Sequence, residues 1–290
     1  MPLVSMSQVL RKAREARYGV GHFEAWNLES ARAIITAANE ERSPAIFGFN
    51  GTLIDERRRD LEYYAAIGKV VAWKAHVPVA LILNEASSFE QIVQGIHYGF
   101  SSVMIDGSSL PFEDNVRLTR KVVDVAHSLG VSVEGQVDEL PHAKNGTLSK
   151  RPEKGQMTDP AGACEFVNQT GIDALSVSVG NVHVLYREHA QIDFQRVEEL
   201  AEVVDVPLVI HGATGIEDDS VKKAVALGIS KVNIGTALRY AFTHGMAMSI
   251  GEKSFVDPEQ VLESGEQKLR ELVRAKMRVY GSSGKAEPDG

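Results

Sequence analysis

Polar side chains stand at the ends of several short apolar segments in this sequence. The segment "VPVALILNEASSFE" (77–90) is apolar until it reaches Asn84 and Glu85, an amide and a carboxylate side by side. Two later segments, "SVSVGNV" and "PLVI", run into His183 and His211. Two histidines and a carboxylate can bind Zn²⁺ or a similar ion and leave one coordination position open for substrate. A lone histidine more often bonds a loop backbone, so it is the pair that predicts a metal site.

Small and hydroxyl-bearing residues follow the last two apolar segments. In α/β barrels the loops that follow the last two strands often bind phosphate through backbone N–H groups, hydroxyls and a helix N-terminus. Two ordinary glycine-rich turns are the alternative, and a basic side chain nearby favours the phosphate site. The residues of this predicted site are Arg187, Gly212, Thr214, Asn233 and Thr236.

Eight short apolar or β-branched segments recur through the sequence, and amphipathic stretches such as 28–41 and 116–130 separate them. Nearly continuous apolar strands with helices between them indicate a parallel sheet that is covered on both faces. Eight units fit an α/β fold of the (β/α)8 TIM barrel type better than an open doubly wound sheet, and no GxGxxG follows the first strand. The predicted strands are 18–23, 45–49, 79–83, 102–106, 131–137, 174–180, 207–212 and 231–235.

A parallel barrel collects the carboxyl ends of its strands at one rim, where barrel enzymes have their active sites. Asn84 and Glu85 are therefore expected at the same rim as His183 and His211. A Schiff-base mechanism would need a lysine there. Lys231 begins its predicted strand and is expected to point to the opposite end, so this mechanism is not predicted.

The remaining segments fit a single domain over residues 1–280. An amphipathic helix at 5–16 is expected to close the bottom of the barrel, and a second at 258–280 to end the domain. The polar stretch 138–160 is expected to form a long loop after the fifth strand, and long loops at this face are commonly lids. The small, polar tail 281–290 is predicted to be disordered.

Composition argues against several classes of function. A net charge of −8 and a pI near 5.6 disfavour sequence-independent binding of nucleic acid. No segment reaches the roughly 18 apolar residues of a membrane span, and the N-terminus lacks the apolar run of a signal peptide. The single cysteine, Cys164, excludes an internal disulfide and favours a reducing cytoplasm, where it is expected to be a small core residue.

One enzyme family matches the chain in six segments: "VPVALILNEASSFEQI", "GFSSVMIDGSSLPFEDN", "GVSVEGQV", "TDPAGACEFVNQTGIDALSVSVGNVH", "PLVIHGATGI" and "GISKVNIGTALRYAF". Through them the chain resembles the class II, metal-dependent fructose-bisphosphate and tagatose-bisphosphate aldolases over nearly its whole length. The resemblance implies reversible aldol cleavage of a ketose phosphate or a related sugar acid through an enediolate. It also implies a divalent metal, foremost Zn²⁺, that polarises the substrate carbonyl, and a homodimer or homotetramer.

The third strand departs from that family at the positions that do chemistry. The family typically has Leu-His-Leu-Asp-His, in which the aspartate handles the proton in aldol cleavage and the last histidine binds zinc. Residues 81–85 here read Leu-Ile-Leu-Asn-Glu. Asn84 therefore occupies the proton-transfer position, although an amide is no general acid or base. Glu85 occupies the ligand position, and a carboxylate can bind zinc there.

The resemblance also assigns roles to other rim residues. His183 and His211 align with the two remaining zinc histidines. Gln136 replaces a glutamate that can contact the metal, whereas Glu134 is retained. Val184 replaces a glycine whose backbone contacts phosphate. The substrate and phosphate residues of the family correspond to Gly212, Thr214, Asn233 and Thr236, and Arg187 can pair with a phosphate or a carboxylate.

Three functions remain open from the sequence. A divergent aldolase needs another base, for which the candidates are Glu24 and Glu85 at the rim and Asp138 and Glu139 in the long loop. A sugar or sugar-phosphate epimerase or isomerase would use the same metal chemistry. A non-catalytic subunit would keep the fold without the base. If His183, His211 and Glu85 converge in space, the aldolase and the epimerase or isomerase are favoured over the non-catalytic subunit.

Overall fold

Eight parallel strands form a closed barrel in sequence order in the computed structural model, which describes residues 3–147, 157–251 and 255–286. The (β/α)8 TIM barrel predicted from the apolar segments is therefore confirmed. The predicted strand 102–106 has the observed bounds, whereas the last strand begins two residues earlier than predicted. The strands are β1 (Val20–Glu24), β2 (Ala45–Asn50), β3 (Val79–Ala86), β4 (Ser102–Asp106), β5 (Ser132–Gln136), β6 (Ala174–Ser176), β7 (Leu208–Ile210) and β8 (Ile229–Ile234).

Helices cover the outside of the barrel and follow the local signals of the sequence. The side chains of Asn27 and Asp159 accept backbone N–H groups at two helix starts. None of the described helices is both long and apolar enough to cross a membrane. The helices in the described residues are α1 (Met6–Ala16), α2 (Leu28–Glu41), α3 (Gly51–Glu56), α4 (Leu61–Ala72), α5 (Phe89–Tyr98), α6 (Phe112–Ser128), α7 (Pro160–Thr170), α8 (Phe194–Val203), α9 (Asp218–Leu227), α10 (Thr236–Ile250) and α11 (Pro258–Tyr280).

Helix α1 closes the amino-terminal end of the barrel, as expected. Its apolar face packs on side chains inside the barrel, among them Val20 and Ile82. The Met6 N–H also donates to Ser102 Oγ at 3.0 Å, which ties the helix start to β4. Burial of each large apolar side chain contributes about 1.5–3 kcal/mol. This packing leaves the opposite end, where the strands finish, as the open one. The buried face of α1 consists of Met6, Val9, Leu10 and Ala13.

Residues 281–286 differ from the disordered tail expected over 281–290. The N–H groups of Gly284 and Ala286 donate to the carbonyls of Glu41 and Arg42 at 2.8 and 2.9 Å. The buried Ser282 hydroxyl contacts the Ser43 hydroxyl at 2.8 Å. The segment is ordered because it pairs with polar groups at the end of α2, which its own composition does not reveal. Residues 287–290 lie outside the described residues.

Two residues at the open rim have a left-handed backbone that side chains rarely adopt. Glu85 has φ +48° at a β-bulge of β3, and Val184 has φ +58° in the loop after β6. For a β-branched residue this conformation costs on the order of 1–2 kcal/mol. The rim loops therefore store backbone strain, most clearly at Val184.

The carboxylate of Glu41 joins α2 to α11. It accepts hydrogen bonds from Arg274 at 2.8 Å and from Arg278 at 2.6 and 3.0 Å. The Arg278 hydrogen bond is the largest cause that lowers the pKa of Glu41 to about 2. A carboxyl pKa that is lower in the folded than in the unfolded protein stabilises the fold above the unfolded value and loses this contribution as the pH falls.

We expect Glu41→Gln to lower the free energy of unfolding by about 1.5–3 kcal/mol at pH 7, as measured by urea denaturation. The difference from wild type should shrink by about half between pH 7 and pH 3. Glu40→Gln is the control, because Glu40 is 34% exposed and its ion pairs with Arg270 and Arg274 should contribute about 1 kcal/mol or less. A pH-independent loss in Glu41→Gln would contradict the role of the charge.

We expect Val184→Gly to raise the free energy of unfolding by about 1 kcal/mol, because glycine adopts the left-handed conformation without a steric penalty. Val203→Gly is the matched control, since Val203 has the same 43% exposure but ends helix α8. The control should lose roughly 0.5 kcal/mol or more, because glycine disfavours helix. Equal destabilisation of both variants in urea would show that the loop is unstrained.

Candidate active site

A cavity of about 800 Å³ lies at the carboxyl-terminal rim of the barrel. Residues of β1, β2, β3, β4 and β8 line it, together with residues that follow β2, β3, β5, β6, β7 and β8. Nine residues are predicted from the sequence for the proton-transfer position, the metal site and the phosphate site, and all but Arg187 are among them. These are Asn84, Glu85, His183, His211, Gly212, Thr214, Asn233 and Thr236.

Glu85, His183 and His211 converge at one side of the cavity. One ligand atom from each lies within 4.8 Å of the others. Nδ1 of His211 and Oε1 of Glu85 lie 3.4 Å apart. Two imidazoles and a carboxylate are a donor set that fits a divalent ion such as Zn²⁺ and leaves a position for substrate. The three residues would therefore hold such an ion.

Two amides hold the Glu85 carboxylate in place. Asn50 Nδ2, at the end of β2, donates to Oε2 at 2.7 Å, and Asn84 Nδ2 donates to Oε1 at 3.1 Å. Burial alone would raise the pKa of Glu85, but His211, His183 and Asn50 together lower it well below its usual value. The carboxylate is therefore ionised and oriented towards the histidines, and the bulge in β3 is what brings it there.

The buried ion pair of Glu134 and Lys231 orients His211. Its Nε2 lies 2.9 Å from Oε1 of Glu134, and because a carboxylate only accepts hydrogen bonds, Nε2 carries the proton. Lys231 Nζ donates to the other oxygen of Glu134 at 2.6 Å. A carboxylate behind a histidine fixes its tautomer and ring orientation. Nδ1 of His211 is thereby left facing Glu85.

The position of Lys231 corrects the expectation from the sequence. Lys231 is the third residue of β8, because the strand begins at Ile229, and its side chain is fully buried inside the barrel rather than directed to the opposite end. Burial lowers the pKa of its ammonium, which Glu134 holds in an ion pair. Lys231 is absent from the lining of the cavity and acts on His211 through Glu134.

Gln136 on β5, another departure from the family pattern, bonds side chains outside the cluster of Glu85, His183 and His211. Its Oε1 accepts from Ser176 at 3.0 Å, and its Nε2 donates to Ser108 Oγ at 3.2 Å. The side chain is buried and does not line the cavity. A neutral amide satisfied in this way links β5 to its neighbours.

A second corner of the cavity fits an anion. Gly212 has φ +74°, and a Cβ there would lie 2.1 Å from the Val182 carbonyl oxygen, so only glycine fits. Thr214 Oγ1 accepts the Ala237 N–H at 3.0 Å, in the first turn of α10. The helix start at Thr236 brings backbone N–H groups and a partial positive charge to this corner.

Arg187 is the residue of the predicted phosphate site that does not reach the cavity. Its guanidinium lies 5.9 Å from the centre of the Tyr186 ring, and its exposed side chain is absent from the lining. Val184, at the position where the resemblance implies a glycine, has the left-handed φ that glycine adopts without strain.

Two histidines of the cavity were not singled out from the sequence. His142 stacks on His183 with ring centres 4.7 Å apart, and the two residues form a parallel β-bridge. His22 on β1 lines the floor of the cavity. Neither has a local sequence signal, because each meets the site only through tertiary contacts.

The acidic residues proposed from the sequence as alternative bases do not all lie in the cavity. Glu24 lines the cavity, but the Arg239 guanidinium donates to its carboxylate, and burial raises the pKa of Glu24. Asp138 and Glu139 do not line the cavity. Within the predicted lid at 138–160, residues 148–156 lie outside the described residues.

Comparison with known proteins agrees with this geometry. The family model for class-II fructose-bisphosphate aldolases matches residues 4–285. A fructose-bisphosphate aldolase of Geobacillus stearothermophilus is 37% identical, over 99% of both chains. A Bacillus subtilis (strain 168) protein named a probable fructose-bisphosphate aldolase is 38% identical, over 99% of this chain and 100% of its own.

A solved structure extends the similarity to the fold. The crystal structure of the YdjI aldolase from Escherichia coli K12 superposes with a TM-score of 0.84 at 32% identity, over 99% of this chain and 100% of that chain. The family match and both relatives span almost the whole sequence. The chain therefore belongs to the class-II fructose-bisphosphate aldolase family.

Proposed function

We propose that this protein catalyses reversible, metal-dependent aldol cleavage of a ketose phosphate or a related sugar acid. The observation that supports it is the convergence of Glu85, His183 and His211 in the same cavity as the anion corner at the start of α10. Family membership supports the reaction class. The same convergence argues against a non-catalytic subunit, which would have no need to hold the three ligands together.

Each part of the cavity has a chemical task in this reaction. A divalent ion, which we propose to be Zn²⁺, would polarise the substrate carbonyl and stabilise the negative charge that develops on its oxygen. Gly212, Thr214 and the first turn of α10 would bind the phosphate or carboxylate of the substrate. This anchor fixes the distance between the anion and the carbonyl, and thereby selects the bond that breaks.

The assembly and location of the enzyme are proposed with the function. We expect a homodimer or homotetramer, from the resemblance to the family, with a small-molecule substrate. A single cysteine supports a cytoplasmic enzyme.

Asn84 cannot be the base of this reaction, since an amide does not accept a proton at neutral pH. Its Nδ2 donates to Glu85, whereas its buried Oδ1 has no hydrogen-bond partner among the described residues. We propose that this oxygen accepts a substrate hydroxyl. Asn84 then orients the hydroxyl, and the proton has to go to another group.

Glu85→Ala should lose bound metal and cleavage activity together, because it removes the only carboxylate of the three proposed ligands. Metal content would be measured by mass spectrometry of the purified protein, and cleavage by coupled assay of the aldehyde product. Asp106→Asn is the control, since Asp106 lines the same cavity outside the ligand cluster and should retain metal. Loss of activity with full metal content would instead make Glu85 an acid or base.

The products separate aldol cleavage from epimerisation. A panel of ketose phosphates and sugar acids is incubated with the metal-loaded protein, and the mixture is analysed by mass spectrometry. We expect fragments of lower mass that include a three-carbon ketone. An isomer of unchanged mass as the sole product would make the enzyme an epimerase or isomerase.

A further inference from the structure

His22 is a buried polar side chain with no hydrogen-bond partner in the described part of the chain. It is 2% exposed, and both of its ring nitrogens lack a partner. It lies on β1 beside Asn233 of β8 and lines the floor of the active-site cavity. A buried polar group without a partner costs about 1–3 kcal/mol, so its presence calls for a reason.

Charged groups surround His22 inside the barrel. Burial and the Lys231 ammonium hold the pKa of His22 well below its usual value, while Glu134 and Glu85 act in the opposite direction and His211 adds to the lowering. The imidazole is therefore neutral near pH 7, with one N–H donor and one nitrogen lone pair. A neutral imidazole in a cavity can accept a proton, and its conjugate acid can readily return one.

The other candidate bases are committed elsewhere or lie outside the cavity. Glu85 belongs to the metal-ligand cluster and bonds two amides, and Glu24 is paired with Arg239. Asp138 and Glu139 do not line the cavity. Among the described residues of the lining, His22 is the buried titratable group that faces the cavity with its polar atoms unused.

We propose that His22 is the acid–base residue of this enzyme and takes the role that Asn84 cannot perform. In the cleavage direction, a ring nitrogen of His22 accepts the proton of the substrate hydroxyl. The carbon–carbon bond breaks, the hydroxyl-bearing fragment leaves as an aldehyde, and the electron pair of the bond remains on the carbonyl fragment as an enediolate. The imidazolium then gives the proton to the enediolate carbon. One ketose thus yields one aldehyde and one ketone, and His22 returns to its starting state.

This inference rests on the proposed aldol reaction and adds the group that moves the proton. It also accounts together for two of the side chains whose polar atoms are unused in the cavity, since Asn84 Oδ1 accepts the hydroxyl that His22 deprotonates. His22 and Asn84 line the same cavity from β1 and β3, the two strands that flank β2.

The experiment compares His22→Gln with wild type in the metal-loaded enzyme. Glutamine preserves size and polarity but cannot transfer a proton. We expect kcat to fall by about 10²–10⁴-fold while KM changes by less than about threefold. Bound metal and melting temperature should remain at the wild-type level, which a merely structural role of His22 would not allow. Solvent-deuterium exchange into the ketone product, followed by NMR, should slow in parallel with cleavage.

Glu24→Gln is the matched control, because Glu24 is the neighbouring inward-facing residue of β1. It should keep kcat within about tenfold of wild type. If His22→Gln fails to fold, His22→Asn tests the same point with a smaller side chain. Unchanged kcat in a folded His22 variant would overturn this inference alone, as would loss of turnover in Glu24→Gln with normal turnover in His22→Gln. Absence of any carbon–carbon cleavage by wild type would overturn the proposed function and this inference with it.

Discussion

The ion pair between Lys231 and Glu134 is the interaction on which the active site depends. Both side chains are fully buried in the barrel, and Nζ lies 2.6 Å from Oε2. Removing one partner of such a pair typically costs about 3–5 kcal/mol, because the other charge is left buried and unpaired. The second oxygen of Glu134 holds His211. One carboxylate therefore serves both the stability of the barrel core and the direction of His211 Nδ1, which we propose to bind the metal, so neither can change without the other.

The paired departures at residues 84 and 85 are physically coupled. An aspartate at 84 beside a glutamate at 85 would bring two carboxylates together, and the repulsion would raise the pKa of one of them. Asparagine removes that charge and adds an N–H donor to Glu85 at 3.1 Å. Once the ligand is a carboxylate, the adjacent residue is better as an amide than as a second acid. Proton transfer must then come from a different wall of the barrel, and His22 on β1 is placed to supply it.

The sequence predicts what depends on local pattern and misses what depends on barrel closure. The bounds of α2, α11 and β4 follow from apolar periodicity and capping residues. Glu85, His183 and His211 were expected at one rim because strand ends meet there, and they converge in the structure.

Lys231 was expected to point to the amino-terminal end of the barrel, because the polar Ser230 hides the true start of β8 at Ile229. His22 carries no local signal, since only the pairing of β1 with β8 brings it beside Asn233. Arg187 was expected near phosphate, but its side chain projects over Tyr186 instead.

The three proposed ligands are held rigid by three different means, and this explains why strain at the rim is tolerated. Two amides restrain Glu85, and a buried carboxylate restrains His211. His183 is restrained through its backbone, since its N–H donates to the Pro141 carbonyl and its own carbonyl accepts the Ala143 N–H, both at 2.9 Å. These two bonds fix the chain immediately before Val184, and a strained backbone persists only where its surroundings over-determine it. The cost at Val184 is thus the consequence of holding His183 in a fixed position while the loop turns sharply away from the cavity.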